Sequence, residues 1–430
     1  MRMATTTSSP VKPRTRGWLG KLGPGLVTGA SDDDPSGIAT YSQAGAQFGY
    51  SLGWTLLLSF PLMVAIQEAC ARLGRISGKG LATNIVENFP RPVGFAVALL
   101  LLAANVVNLG ADLGAMAAAL QLLVGGPREP YVIGFGLLCA GLITFIPYER
   151  YSAYLKWLCL SLLAYVGTVF AVHVPWAEVA RQLVWPSLQA NTDYITAAVA
   201  IFGTTISPYL FFWQASQEAE RQAESPRMKP LTEAPRQAPA ELRRISIDTW
   251  LGMGLSNLIG LFIIVTTAAT LHASGKLDIQ TSADAASALR PIAGDFAFAI
   301  FAAGIIGTGM LGVPVLAGAV AFGVCGTLGQ PAGLACRPAE AKAFYGTIFG
   351  AIVIGIALNT AAIDPIKALF WSAVINGLVA VPIMVLIMIM SGRTAVVGEF
   401  RLPRPLALLG WTTTTFMGLI AVAMVWRWFA

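Results

Sequence analysis

Six consecutive residues, Asp32-Asp33-Asp34-Pro35-Ser36-Gly37, interrupt an apolar stretch that begins at Leu22. Proline has no N–H and clashes with the turn before it, so the carbonyls ahead of Pro35 lose their helical partners. In lipid such groups must be satisfied by protein, water or an ion. Freed carbonyls carry partial negative charge and Asp34 adds a full one, a combination that attracts a cation. A second interruption, Gly203-Thr204-Thr205-Ile206-Ser207-Pro208-Tyr209, again places a polar residue directly before a proline. One proline alone reads as a kink in a packed helix. Paired breaks in corresponding helices, one of them holding aspartates, mark the mid-membrane site of transport proteins. A carboxylate inside a span costs enough free energy that a functional role is its default reading. Asp33 and Asp32 either line the ion's way in or pair with basic residues.

Helices must position these breaks. The 430-residue chain is 56% hydrophobic and only 12% charged, about half the charge of an ordinary globular domain. It cannot cover a water-facing surface, so most of its exterior faces lipid. Apolar runs give about eleven helices, over 22–48 (interrupted), 52–73, 93–124, 131–147, 151–173, 194–217 (interrupted), 246–271, 288–325, 342–358, 365–391 and 404–428, with ends good to a few residues. The expected class is an all-α integral membrane protein. Because the first and sixth helices break alike, two five-helix repeats of opposite orientation are expected. The expected divisions are a tail (1–21), a first repeat (22–173), a second, inverted repeat (194–391) and an additional helix (404–428).

Most of the 28 Lys and Arg residues fall in the tail and the even-numbered loops, leaving only Arg128, Arg181, Lys276, Arg290, Lys367 and Arg427 opposite and Lys156 within the fifth helix. By the positive-inside rule the N-terminus is cytoplasmic and the C-terminus outside, in the plasma membrane. The basic residues thus set topology, and no nucleic-acid partner is expected. The loop over 218–245, rich in Glu, Arg and Pro, reads as a flexible linker. The tail does not read as a cleaved signal, because aspartates interrupt the apolar stretch after it. Cys70, Cys139, Cys159, Cys325 and Cys336 lack metal spacing and read as small buried hydrophobes.

In the third helix Asn105, Asn108 and Asp112 fall on one face. Their face serves either interhelical hydrogen bonding or a polar ion path. Asn376 in the tenth helix is a candidate to face the site, and Glu68 and Arg72 pair at i, i+4.

The breaks also carry a resemblance. Asp34-Pro35-Ser36-Gly37-Ile38-Ala39-Thr40, Gln43-Ala44-Gly45, Gly49-Tyr50, Ala71-Arg72-Leu73-Gly74 and Gly78-Lys79-Gly80-Leu81 resemble the Nramp family of divalent metal transporters. The resemblance implies a LeuT-like inverted-repeat fold with alternating access around a central ion. It implies metal ligation at Asp34, at position 37, at the Thr204 carbonyl and at position 207, with Tyr209 lining the site. The family's usual asparagine is Gly37 here, its methionine is Ser207, and its histidine is Tyr209. A thioether favours transition metals, whereas oxygen ligands and water suit magnesium. The pattern therefore resembles the divergent Nramp-related magnesium transporters.

Asp112 matches a family acid implicated in proton coupling, but the second is Ala115. His173 and His272, the only histidines, fall at span ends, and a relay near neutral pH needs a titratable group in reach. Uptake of Mg2+, and also Mn2+, as a partly hydrated ion without proton coupling is the expectation. The alternatives are a proton-coupled Mn2+ or Fe2+ carrier and, on the same scaffold, a sodium-coupled carrier of organic solutes. No enzyme motif occurs, no cofactor is expected, and the expected partners are the transported ion and the bilayer, with a monomer as the working expectation.

Overall fold

A computed structural model describes residues 24–146, 160–361 and 364–429. The expected tail and residues 151–159 of the fifth expected helix, with Lys156 and Cys159, lie outside them. Among the described residues there are helices and turns but no strand. The first five-helix set contains α1 (Pro24–Asp32), α2 (Pro35–Phe48), α3 (Gly53–Ser77), the short α4 (Leu81–Asn88), α5 (Arg91–Val124), α6 (Glu129–Phe145) and α7 (Leu163–Ala171). After α8 (Trp176–Val184) the second set follows. It contains α9 (Thr192–Thr205), α10 (Pro208–Ala223), α11 (Ala238–Thr267), α12 (Ala297–Leu328), α13 (Lys342–Leu358) and α14 (Pro365–Gly392), and α15 (Arg404–Phe429) ends the described chain.

Each set opens on a helix broken at a proline: α1 gives way to α2 at Pro35, and α9 to α10 at Pro208. Among the described residues seven stretches are long and apolar enough to cross a membrane. One of these, Pro35–Ser77, holds both α2 and α3, which meet at a turn where Gly49 takes φ +58°. The apolar helices α6 and α13 are shorter, at 17 residues each. Large side chains such as Leu99, Phe145, Phe170 and Leu408 stay exposed on the outside of the bundle, as lipid-facing positions require. Helices pack closely where small residues meet. A Cβ on Gly203 of α9 would sit 2.0 Å from the Ala373 carbonyl oxygen of α14, and one on Gly29 of α1 would sit 2.3 Å from Gly252 of α11.

Two expectations need correction. The helix expected over 288–325 starts only at Ala297. Before it the chain passes through short turns around Pro291, with Gly294 at φ +51°, residues that end regular helix. The stretch 218–245 is also not a free linker. It is helical up to Ala223 and again from Ala238, and Leu231 between them is fully buried. Arg75, buried at the end of α3, donates to the Lys229 carbonyl (2.7 Å), Gln222 (3.0 Å), Gln237 (2.9 Å) and Glu241 (3.4 Å). Glu218, also buried, holds Arg244 at 2.5 Å and Arg221 at 3.8 Å. A buried guanidinium needs most of its donors satisfied, and here this segment supplies the acceptors. The Glu, Arg and Pro content thus reflects a buried network.

Arg75→Ala should destabilise the protein by roughly 3–5 kcal/mol, the usual effect of breaking a buried charged network. It should also make Arg227 a rapid site of tryptic cleavage. Unchanged melting and cleavage would show that this segment orders itself without Arg75.

Candidate functional site

Asp34 is the N-cap of α2, with extended backbone (φ −71°, ψ 171°), and Pro35 occupies the first helical position. A carboxylate at an N-cap satisfies backbone donors that the first turn leaves open. Here Asp34 Oδ1 accepts from the Gly37 N–H at 2.9 Å and from the Ser36 hydroxyl at 2.5 Å. Its other oxygen, Oδ2, accepts from Asn108 Nδ2 of α5 and from the Tyr209 hydroxyl of α10, both at 3.2 Å. Tyr209 also lies 3.1 Å from the Ser31 carbonyl at the end of α1. One carboxylate therefore joins both halves of the first broken helix to α5 and to the second broken helix.

The two breaks face each other. The Ser36 and Thr204 hydroxyls are 3.4 Å apart. A Cβ on Gly37 would lie 3.3 Å from Thr204 Oγ1 and 3.6 Å from the Asp32 carbonyl oxygen, so glycine at position 37 keeps space between them. Ser207, the N-cap of α10, has its hydroxyl 2.9 Å from the Gly203 carbonyl and 2.8 Å from that of Thr204. The hydroxyl therefore turns back on the carbonyls that Pro208 frees.

Asn108 also accepts from Ser372 of α14 at 2.7 Å. Asn105 lies one turn from Asn108 on α5, and Asn376 one turn from Ser372 on α14. Both are fully buried, and neither amide has a hydrogen-bond partner. Asp112, one turn the other way along α5, is likewise buried with both oxygens unpartnered. Gly312 of α12 lets the two acids approach, since a Cβ there would lie 3.2 Å from Asp34 Cβ and 3.6 Å from Asp112 Oδ2. On the α5 stripe Asn108 bridges helices, whereas Asn105 and Asp112 present polar groups without hydrogen-bond partners.

Asp32 and Asp33 turn away from Asp34 toward α11, where both approach Ser256. All four carboxylates, Asp32, Asp33, Asp34 and Asp112, are at most 5% exposed. Among the described residues none of them forms an ion pair with a basic side chain. Among the described residues Ser256, not a basic side chain, is what meets Asp32 and Asp33. His173 and His272 are exposed at helix ends, as expected. No group of three or more His, Cys, Asp and Glu gathers as metal ligands among the described residues. An ion here would be held by one or two carboxylates with carbonyls, hydroxyls, amides and water. The groups that hydrogen-bond to Asp34 are all oxygen and nitrogen donors, and the Met116 sulfur packs at Gly309 beside Pro35.

Two five-helix sets, each opening on a broken helix, with polar groups collected where the breaks meet, define a multi-pass membrane transporter fold. The family model described as natural resistance-associated macrophage protein-like (Nramp) matches residues 25–427, and the chain belongs to that family. Among its relatives, the divalent metal cation transporter MntH of Aeromonas hydrophila is 25% identical over 418 residues, covering 93% of each chain. The MntH of Deinococcus radiodurans is 29% identical over 319 residues, covering 72% of this chain and 70% of its own. The crystal structure of an Eremococcus coleocola manganese transporter mutant superposes with a TM-score of 0.74 at 19% identity, over 97% of this chain and 88% of its own. The closed conformation of Mhp1, a nucleobase-cation-symport-1 family transporter, gives 0.52 at 14% identity, over 94% and 92%.

Sequence reasoning missed Ser36, Ser256, Ser372 and Gly312. Ser36 was legible inside the Asp-Pro-Ser-Gly motif, and Ser372 lies one turn before Asn376. Ser256 and Gly312 sit in apolar helices and gave no local signal. Removing the phenol that joins Asp34 to Ser31 should loosen the meeting of the breaks. Tyr209→Phe should lower stability by about 1–3 kcal/mol, the cost of unmaking buried polar contacts, read as a lower melting temperature in detergent. An unchanged melt would mean that the phenol does not hold the breaks together.

Proposed function

We propose that this chain carries hard divalent cations inward across the plasma membrane, Mg2+ foremost and Mn2+ also, as partly hydrated ions and without proton coupling. The observation that carries this reading is the surroundings of Asp34: a buried carboxylate where two broken helices meet, hydrogen-bonded by hydroxyls, an amide, a backbone N–H and a phenol. Mg2+ is small, prefers oxygen and dehydrates reluctantly, so it is usually held by one or two carboxylates together with retained waters. Gly37 and Ser207, smaller than the asparagine and methionine the family usually places there, leave room for those waters. In this reading Asp34, the Thr204 carbonyl and Ser207 approach the ion, the latter two once the Ser207 hydroxyl turns away from its own helix, and Gly37 provides space.

The names of the MntH relatives and of the Eremococcus coleocola manganese transporter support a divalent cation as the cargo. Asp112 on one side of Asp34, and the Asn105 and Asn376 amides on the other, supply polar groups along a path between α5 and α14. The two repeats then rock around the site to give alternating access, with the N-terminus in the cytoplasm and the C-terminus outside. The membrane potential suffices as a driving force, since two charges moving inward through 100 mV gain about 4.6 kcal/mol. A relay through Asp112 would have to run over the carboxylate that is to hold the ion, Asp34, with no histidine of its own to take the proton.

In proteoliposomes Mg2+ should enter, millimolar Mg2+ should compete with Mn2+, and neither flux should acidify the lumen. Exclusion of Mg2+ with proton-linked Mn2+ entry would overturn this reading in favour of the coupled alternative. Asp34→Ala should abolish flux in a folded protein. Ser207→Met should shift preference toward Mn2+ over Mg2+, by about tenfold for each 1.4 kcal/mol of differential binding; unchanged selectivity would remove Ser207 from the ion's ligands.

A further inference from the structure

We infer that Asp32 and Asp33, with Ser256 and Tyr41, form a second cation site on the α11 side of the break, taking a hard divalent ion separately from Asp34. Resting on the metal-carrier reading above, it adds a holding point that the reading does not contain. Asp34 and its neighbours point to α5 and α10, whereas Asp32 and Asp33 turn to α11. Ser256 Oγ lies 2.6 Å from Asp32 Oδ2 and 3.0 Å from Asp33 Oδ1. A hydroxyl has one hydrogen to donate, so it can satisfy only one of these two carboxylates, and Asp32 Oδ1 has no hydrogen-bond partner at all.

The second observation is independent of the acids. Tyr41 is fully buried and its hydroxyl has no hydrogen-bond partner. Its ring lies against Gly260 of α11, one turn past Ser256, where a Cβ would come within 2.8 Å of the ring. On its other side the ring lies at the break itself: a Cβ on Gly37 would come within 3.4 Å of the ring and 3.6 Å of the Asp32 carbonyl oxygen. The phenol thus brings an unused oxygen to the stretch between the break and α11, where the two carboxylates lack a basic partner among the described residues. Two charged oxygens, a hydroxyl and a phenol form an all-oxygen donor set, which suits magnesium or manganese rather than a soft ion. A divalent ion there would neutralise both carboxylates and draw on the lone pairs that Ser256 and Tyr41 leave free. Gly25 and Gly29 hold α1 against α11 at this level: the Gly25 N–H donates to Asp248 at 2.7 Å, and Gly29 abuts Gly252. The donors therefore come from two helices already in contact.

The test counts Mn2+ bound by the purified full-length protein in detergent, by equilibrium dialysis and by the paramagnetic resonance of the bound ion. The wild type should bind two ions per chain, close enough to broaden each other's spectrum. The Asp32→Asn/Asp33→Asn double variant should bind one, with a sharpened spectrum. Ser256→Ala, which keeps both acids and disturbs folding least, should weaken one of the two ions by about tenfold. A single ion in the wild type, or two undisturbed ions in both the double variant and Ser256→Ala, would overturn the second site. Asp34→Ala should keep the ion on the α11 side and lose the other. If Asp34→Ala keeps both ions, the Asp34 reading fails instead, so the two failures are distinguishable.

Discussion

Four carboxylates buried in the same region, with no basic partner among the described residues, impose the strongest physical constraint on this fold. Removing one such charge from water costs several kcal/mol unless something compensates it. Asp34 is compensated best, by the N–H of Gly37, the hydroxyls of Ser36 and Tyr209 and the amide of Asn108. These donors come from three helices, so compensating one charge also fixes how α2, α5 and α10 meet. Asp112, Asp32 and Asp33 are compensated less completely. That residual negative potential is the physical basis for reading the region as a place for a cation.

The breaks in the first and sixth spans follow from the same constraint. A continuous helix would bury its carbonyls in its own hydrogen bonds and leave Asp34 without the N-terminal dipole of α2. Breaking the helix at Pro35 gives the carboxylate backbone and hydroxyl donors while freeing carbonyls at the end of α1. The second break supplies Thr204 and Ser207 from the opposite side. Small residues then let the surrounding helices close in: Gly203 against α14, Gly312 beside Asp34 and Asp112, and Gly37 between the breaks. In an Nramp-family chain these glycines shape the space as much as the polar residues supply its chemistry.

Much of this arrangement was legible in the sequence, because proline, aspartate and apolar run length act locally. Pro35 and Pro208 announce the breaks, and the spacing of Asn105, Asn108 and Asp112 puts them on one face before any fold is known. Their partners were not legible. Ser256 lies more than two hundred residues from Asp33 and looks like any serine in an apolar helix. Gly312 is one of 44 glycines, and only the approach of Asp34 and Asp112 gives it a role. The segment after α10 misled for a related reason: a run of Glu, Arg and Pro reads as solvated until Arg75, far back in the chain, is seen buried within it. Local chemistry is written in the sequence, whereas compensation of a buried charge is a tertiary property.

The central claim is that the ion binds to oxygen ligands at Asp34, between the two breaks. The most direct measurement is an anomalous X-ray difference map from crystals of this protein soaked in Mn2+. A peak beside the Asp34 carboxylate and facing Thr204, with water completing its coordination and no sulfur ligand, is the predicted result. A map with no peak at Asp34, or with the ion bound through the sulfur of Met116, would contradict the account.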